Sequence, residues 1–356
     1  MSSRFWKCLC CVLICAVLVG VLTNIPTTDM SLQGMPSTGE PFTTTVPATT
    51  VPQTTPPATT QPAQTEPPAP TEPETQPTVP TEPAPSVEIP DLRAKYAFVY
   101  DLRTGEFLYN SCDTDKSLYP ASTTKLFTTY VALQYLQEDQ QITIGRELAY
   151  VQSDASVAGF KKGDTVSVEA LAYGALLPSG CDASYILAVA AGRAILGDTG
   201  TAAEESIQAF LAECNRMAQA LGMTDTHFAS VDGYHNDKHS ISLQAFAIIG
   251  QLCLEDPLIA KILSSASAKV TYTNAAGESC SKTFKNTNRT IHKDDKYYHP
   301  DAVGMKTGFT DQAGYCLLSA YRVEGGYILV GIFKGSSANS RFADANKLFD
   351  AFEPYL

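Results

Sequence analysis

Sixteen of the 22 prolines in this 356-residue chain fall between residues 36 and 90, and that tract limits where a fold can form. It also carries six glutamates, many threonines and no lysine or arginine. Each proline fixes its φ and removes a backbone donor. With almost no large apolar side chains, the tract cannot bury enough surface to offset its conformational entropy. It reads as an extended, polyproline-like spacer, and its 55 residues reach roughly 170 Å at most, at about 3.1 Å each. Six of the twelve net negative charges sit here, so the acidic balance says little about the partners of the rest. Nothing basic or aromatic is clustered enough to suggest nucleic acid.

Ahead of the tract, residues 1–25 read MSSRFWKCLCCVLICAVLVGVLTNI. Arg4 and Lys7 precede an uncharged apolar run from Cys8 to Leu22, the pattern of a short membrane anchor or a signal peptide. Basic residues before the run, with none close after it, place the N-terminus inside and the remainder outside. The expected layout is an anchor or signal at 1–25, a disordered Pro/Thr-rich linker at 26–90 and a folded domain at 91–356. That domain is expected on the extracytoplasmic side, held at the cell membrane, or secreted if the first segment is cleaved.

From Asp91 onward the pattern is globular. KYAFVYDLRTGEFLY predicts a hairpin with strands at 95–100 and 106–109. Apolar periodicity predicts helices over 122–137, 168–177, 182–196, 204–221 and 341–352. AKVTYTNAAGESCSKTFKN reads as a second hairpin, and GYCLLSAYRVEGGYILVGIF as a third turning at Glu324-Gly325-Gly326. Early strands, central helices and late strands imply one α/β sheet, mainly antiparallel, completed at its edge by the N-terminal hairpin and flanked by helices. Cys214, Cys253 and Cys316 sit among apolar residues and read as core thiols. His235 and His239 would face each other on a helix, but GYHNDKHS is a loop sequence without a third ligand, so no metal and no cofactor are expected.

Three short motifs carry the chemistry. YPASTTKLFT, residues 119–128, places Ser122 and Lys125 three apart where a helix begins, with Leu126, Phe127, Tyr130, Leu133 and Leu136 continuing it. Positions i and i+3 share a helix face, so the amine lies beside the hydroxyl. A second serine–x–x–lysine, Ser279 to Lys282, falls in the polar hairpin, where no helix brings the two together. In LLPSGCDASYILA, residues 176–188, Pro178 and Gly180 force a turn that holds Ser179 on a short connector between two apolar helices. In VGMKTGFTDQAGYCLL, residues 303–318, Lys306, Thr307 and Gly308 open a strand, with the glycine allowing another backbone close.

Serine–x–x–lysine, serine–glycine–x and lysine–threonine–glycine, in that order, resemble the penicillin-recognising serine enzymes. Within them the resemblance is nearest to the low-molecular-mass D-alanyl-D-alanine carboxypeptidases, the penicillin-binding proteins of peptidase family S11. It covers nearly all of 91–356, including LGMTDTHF, NTN at 286–288, GMKTGFTDQAGY and the last helix. It implies a DD-peptidase/β-lactamase-like fold, an antiparallel sheet with helices on both faces and a helical subdomain. Two features depart from the family pattern. Cys181 stands where the second motif usually ends in asparagine, and the chain stops at Leu356 without the C-terminal β-domain and amphipathic anchor that many members carry. The N-terminal segment and stalk would then do the tethering.

The resemblance implies that Ser122 is the nucleophile, Lys125 its base and Ser179 the relay to the leaving group. A lysine at its ordinary pKa of about 10.4 is charged at neutral pH, and three units of depression requires roughly 4 kcal/mol of destabilised charge. Burial and a second cation, Lys306, are suitable causes. The family's oxyanion hole corresponds to the backbone N–H groups of Ser122 and Phe309. Lys306, Thr307, Gly308, Phe309, Cys181 and Arg341 are the implied substrate contacts, Arg289 a weaker one, with an arginine fork suited to the terminal carboxylate. The implied partners are peptidoglycan stem peptides ending in D-Ala-D-Ala, β-lactam antibiotics and, through residues 1–25, the membrane. The alternatives are a serine β-lactamase of the same fold and a catalytically impaired wall-binding module. A β-lactamase of class A needs an extra glutamate for deacylation. Glu204, Glu205 and Glu213 instead read as the solvated face of their helix.

Overall fold

The computed structural model describes residues 87–356, so the segment expected as an anchor or signal at 1–25, and the expected linker at 26–90 apart from its last four residues, lie outside the described residues. Among those described, no helix is long and apolar enough to cross a membrane.

The first hairpin forms as β1 (Ala94–Asp101) and β2 (Glu106–Asn110). A two-residue strand β3 (Ser117–Leu118) follows, then a single 3-10 turn and α1 (Lys125–Tyr135). The helical region continues through β4 (Gln141–Thr143), β5 (Thr165–Ser167), α2 (Val168–Leu176), α3 (Cys181–Leu196) and α4 (Ala203–Ala220). After β6 (Ile241–Ser242) come α5 (Leu243–Glu255) and α6 (Pro257–Leu263). Ser242 caps α5 by accepting from the Ala245 N–H, and Asp256 caps α6 through its carboxylate with proline at the first turn. The chain closes with β7 (Ser267–Thr273), β8 (Ser279–Lys285), β9 (Ala302–Thr310), β10 (Gly314–Val323), β11 (Gly326–Gly335) and α7 (Ser340–Phe352).

The large sheet runs β2-β1-β11-β10-β9, antiparallel throughout, with β9 at one edge. The N-terminal hairpin completes the other edge, as the sequence pattern implies. The second hairpin does not join it: β7 and β8 form a separate four-stranded sheet with β4 and β5. Its strands alternate exposed and half-buried positions, so they have one apolar face to cover and lay it on the helical region, where Phe160 meets Tyr272 and Phe284 edge-on. The expectation of one sheet is corrected on that point. Periodicity also passed over α5 and α6, whose sequences are apolar nearly all round and lack a clean face.

Alternation along the central strands sends side chains to both faces of the large sheet. Phe98, Leu318 and Phe333 join the core under the helical region, where Phe246 stacks on Phe333. Ala97, Val99, Val330 and Ile332 face α7, where Tyr321 stacks on Phe349 with ring centroids 4.3 Å apart. With both faces covered, the sheet is a rigid support for whatever its edge strand carries.

Helices α3 and α4 touch backbone to backbone at Gly192, where an added Cβ would fall 1.9 Å from the Ser206 carbonyl oxygen. Neither backbone can give way as a flexible side chain would. Gly192→Ala should therefore lower the stability by about 1–3 kcal/mol, read as an earlier midpoint in urea unfolding. An unchanged midpoint would show that the two helices separate freely.

Candidate active site

Ser122 lies in the 3-10 turn Ala121–Thr124, one turn short of the α-helix expected there, and Lys125 is the first residue of α1. The turn still stacks the side chains. Lys125 Nζ is 2.9 Å from Ser122 Oγ, 2.6 Å from the Asp232 carbonyl oxygen and 3.3 Å from Cys181 Sγ. Ala121, just before the serine, has φ +48°, a left-handed conformation that a residue with a Cβ seldom adopts.

Ser179 occupies the connector between α2 and α3, also left-handed at φ +65°. Its Oγ is 2.8 Å from Lys306 Nζ, and its carbonyl accepts from Ser156 Oγ at 2.7 Å. Gly180 follows because a Cβ there would sit 2.6 Å from the Gly174 carbonyl and 2.7 Å from the Ala158 nitrogen. Cys181 and Asp182 then start α3. The buried Asp182 carboxylate accepts the N–H groups of Ala158, Gly159 and Phe160, pinning the loop that forms one wall of the site.

On β9, Lys306 is fully buried and follows Met305, which has φ +98°. Burial first, then the positive charges of Lys125 and Arg341, hold the Lys306 amine well below the ordinary lysine range. Thr307 Oγ1 shares a hydrogen bond with Thr287 Oγ1 at 2.7 Å. At Gly308 a Cβ would lie 2.9 Å from the Ser122 nitrogen, so the glycine is what lets the edge strand lie against the serine turn. The Phe309 ring stacks on Tyr315 and leaves about half its surface at the cleft.

These segments line one cleft of about 580 Å³. Ser122, Ser179, Cys181, Thr307, Gly308, Phe309 and Arg341 all border it. Lys125 and Lys306 lie beneath its floor, reaching it through their serines. Arg341 Nη1 donates to the carbonyls of Gly308 and Cys316 at 2.9 and 3.2 Å, and burial brings its pKa down to about 10. The arrangement gives one hydroxyl an adjacent amine, brings a second hydroxyl–amine pair to the same cleft, and adds a guanidinium and threonine hydroxyls to its lining.

Other expectations are redistributed. Arg289 borders a neighbouring cavity and is held by Asp295 at 2.6 Å and Asn339 at 2.7 Å, so it is not a cleft residue. His235 borders the cleft and contacts Asp237, whereas His239 is buried against Thr124, giving the two rings separate partners. Glu213 is not solvated: it is buried, accepts from the Tyr135 hydroxyl and pairs with Arg216, which holds its carboxyl below the usual range. It does not border the cleft. Sequence reasoning gave no role to Thr287, Tyr234 or Asp154, which do border it, or to Asp232, which contacts Lys125 through a backbone carbonyl. The NTN stretch marked Thr287's neighbourhood, but a carbonyl is common to every residue and leaves no signal.

A family model described as Peptidase S11, D-alanyl-D-alanine carboxypeptidase, matches residues 83–332. The chain belongs to this family. A D-alanyl-D-alanine carboxypeptidase of Streptomyces sp. strain K15 is 32% identical over 254 residues, covering 69% of this chain and 82% of the relative. DacF, a D-alanyl-D-alanine carboxypeptidase of Bacillus subtilis, is 29% identical, covering 71% of this chain and only 60% of its own length. The crystal structure of the Streptomyces K15 DD-transpeptidase superposes with a TM-score of 0.67 at 28% identity, covering 74% of this chain and 98% of that one. Penicillin-binding protein D2 of Listeria monocytogenes, in an ampicillin-bound form, gives 0.57 at 25% identity over 73% of this chain and 97% of that one. The S11 chain therefore has the antiparallel-sheet-and-helix fold of the DD-peptidases.

Cys181 is the departure from the usual S11 motif, and its environment decides its chemistry. Burial pushes the thiol up to about 11, with the Lys125 charge opposing and the Asp232 charge adding. At pH 7 roughly one such thiol in ten thousand is ionised, and the thiolate is the oxidisable form. Mild peroxide at neutral pH should leave Cys181 unmodified in peptide maps. Appearance of a sulfenic adduct there before one at the half-buried Cys112 or Cys280 would contradict this.

Proposed function

We propose that this S11 enzyme is a serine-type D-Ala-D-Ala carboxypeptidase, removing the terminal D-alanine from peptidoglycan stem peptides through an acyl-Ser122 intermediate. The observation that carries the reading is the Ser122–Lys125 contact at 2.9 Å, in a cleft that also holds the Ser179–Lys306 contact at 2.8 Å. Ser122 Oγ attacks the carbonyl carbon of the penultimate D-alanine while its proton passes to Lys125 Nζ. The N–H groups of Ser122 and Phe309 receive the negative charge that develops on the carbonyl oxygen. The proton on Lys125 is relayed through the Ser179 hydroxyl, with Lys306 behind it, to the leaving nitrogen as the C–N bond breaks. Water then bonds to the acyl carbon, giving a proton to Lys125, and the acyl–Oγ bond breaks as that proton returns to Ser122 Oγ.

Substrate orientation follows from charge. The terminal carboxylate lies toward Thr307, Thr287 and Arg341, where hydroxyls and a guanidinium converge. Cys181 takes the asparagine's place beside Lys125. A thiol is a weak donor and acceptor, and loss of one hydrogen bond costs about 0.5–1.5 kcal/mol, which leaves an active but slower enzyme. Deacylation sets the β-lactamase reading apart, because Glu213 is tied to Tyr135 and Arg216 away from the cleft. A second reading, acyl transfer to an amine in place of water, is favoured by the likeness to a structure named a DD-transpeptidase.

A pentapeptide ending in D-Ala-D-Ala should yield free D-alanine and a tetrapeptide. Benzylpenicillin should form a single long-lived adduct, seen by intact mass, lost in Ser122→Ala and strongly reduced in Lys125→Ala. Rapid drug turnover would favour a β-lactamase, and an amide product with an added amine would favour transfer. Neither adduct nor D-alanine would leave a wall-binding module.

We propose too that residues 1–25 hold the enzyme at the outer face of the cell membrane and that the proline-rich linker lets it reach the wall. The support is the apolar run between Cys8 and Leu22 and the composition that follows it. Deleting residues 1–25 should move the protein from the membrane fraction to the soluble fraction without changing its rate on a soluble peptide. Retention on membranes after the deletion would place the anchor elsewhere.

A further inference from the structure

The Ala121 carbonyl and the Ser122 N–H are the two ends of one planar peptide unit, and no cis bond occurs among the described residues. Whatever fixes the carbonyl therefore aims the N–H in the opposite direction. The left-handed Ala121 needs such a restraint, since an unrestrained residue with a Cβ relaxes out of that region. Thr124 Oγ1 supplies it, donating to the Ala121 carbonyl at 2.8 Å. The same oxygen lies 2.8 Å from His239 Nε2.

The direction of this chain is determined. Ala229 N–H donates to His239 Nδ1 at 3.1 Å, and a backbone N–H can only donate. Nδ1 is thus bare, and the single proton of the neutral imidazole sits on Nε2. Nε2–H donates to Thr124 Oγ1, which leaves the threonine's own hydrogen for the carbonyl. Burial pushes the His239 pKa down to about 4, opposed by the Asp232 charge and the His227 backbone, so the neutral tautomer holds at neutral pH. Both side chains are buried, and neither borders the cleft. Gly233 closes the arrangement, because a Cβ there would fall 1.9 Å from the Ala121 oxygen and 2.8 Å from Thr124 Oγ1.

We propose that His239 and Thr124 are positioning residues for the oxyanion hole: the chain from Nε2–H through the Thr124 hydroxyl to the Ala121 carbonyl fixes and polarises the peptide whose other end is the Ser122 N–H. This rests on the assignment of Ser122 as nucleophile. Hydrogen bonds in series strengthen one another, and a peptide whose oxygen accepts a hydrogen bond donates more strongly through its nitrogen. Deleting an oxyanion donor outright costs about 10²–10³ in rate, so loosening one should cost roughly tenfold.

The test uses the full chain and a peptide boronic acid that mimics the acyl-D-alanine. Ser122 Oγ bonds to its boron, the serine proton leaves and a tetrahedral anion occupies the hole. Thr124→Val keeps the side-chain shape and removes the hydroxyl. It should slow D-alanine release and weaken the boronate by the same factor, about tenfold, with Thr124→Ser restoring both to within about threefold. Should Thr124→Val fail to fold, His239→Leu against His239→Gln gives the same comparison, the glutamine amide keeping a donor near the Nε2 position. A slowed rate with unchanged boronate affinity overturns the proposal, as does Thr124→Ser behaving no better than Thr124→Val. A wild-type chain that neither binds boronate nor releases D-alanine overturns the carboxypeptidase reading, and this proposal with it.

Discussion

Two lysine amines, both fully buried, share one site, and the local structure is arranged around them. Taking an ammonium out of water is expensive unless its hydrogens are satisfied. Lys125 reaches a serine hydroxyl, a thiol and the Asp232 carbonyl, and Lys306 reaches a serine hydroxyl and the Thr307 carbonyl. These partners are neutral oxygens and sulfur, which give the buried amines hydrogen-bond contacts without an opposite charge. For Lys306 the nearby cations, Lys125 and Arg341, are second only to burial in lowering the pKa. The charge of Lys125 therefore raises the cost of a proton on Lys306. That coupling is what a relay between two serines requires.

Bringing the two amines under one cleft demands backbone that the sequence must tolerate. Among the described residues, four non-glycine positions have positive φ, and three of them, Ala121, Ser179 and Met305, adjoin or form the hydroxyl and amine positions. Strain of this kind costs about 1–3 kcal/mol per residue and persists only where surrounding contacts over-determine it. Here the over-determination is visible in glycines that permit backbone contact, Gly180 against Gly174 and Ala158, Gly233 against Ala121, Gly308 against Ser122. The large sheet, packed on both faces, supplies the rigid side of this clamp through β9.

The three motifs were legible because each depends on side-chain identity at short spacing. Ser122 and Lys125 meet because they lie one turn apart, and the tighter 3-10 turn serves as well as the helix expected there. Ser279 and Lys282 show why spacing alone is not enough. They lie three apart on β8, where neighbouring side chains alternate faces, and Lys282 turns to the Gly159 carbonyl and the rings of Phe160 and Tyr272. What the sequence hid depends on tertiary pairing. Glu213 looked solvated because its partner Tyr135 lies on another helix, and the second sheet was invisible because β5 and β7 are more than ninety residues apart.

Cys181 shows how much of such a site is carried by groups other than the motif residues. Its sulfur approaches Lys125 at 3.3 Å, yet the thiol, protonated and buried, offers only a weak acceptor. The shorter contacts of that amine, to Ser122 Oγ and to the Asp232 carbonyl, keep it aimed at the hydroxyl regardless of what stands at position 181. Asp232 is itself fixed, its carboxylate accepting from the Ser230 hydroxyl and the Tyr234 N–H. The contact to Lys125 is made by the main chain, and the Asp232 carboxylate fixes the turn that aims it. The lysine's orientation thus rests on main-chain geometry, and the neighbouring position is free to change from an amide to a thiol at the expense of one hydrogen bond while the constellation survives.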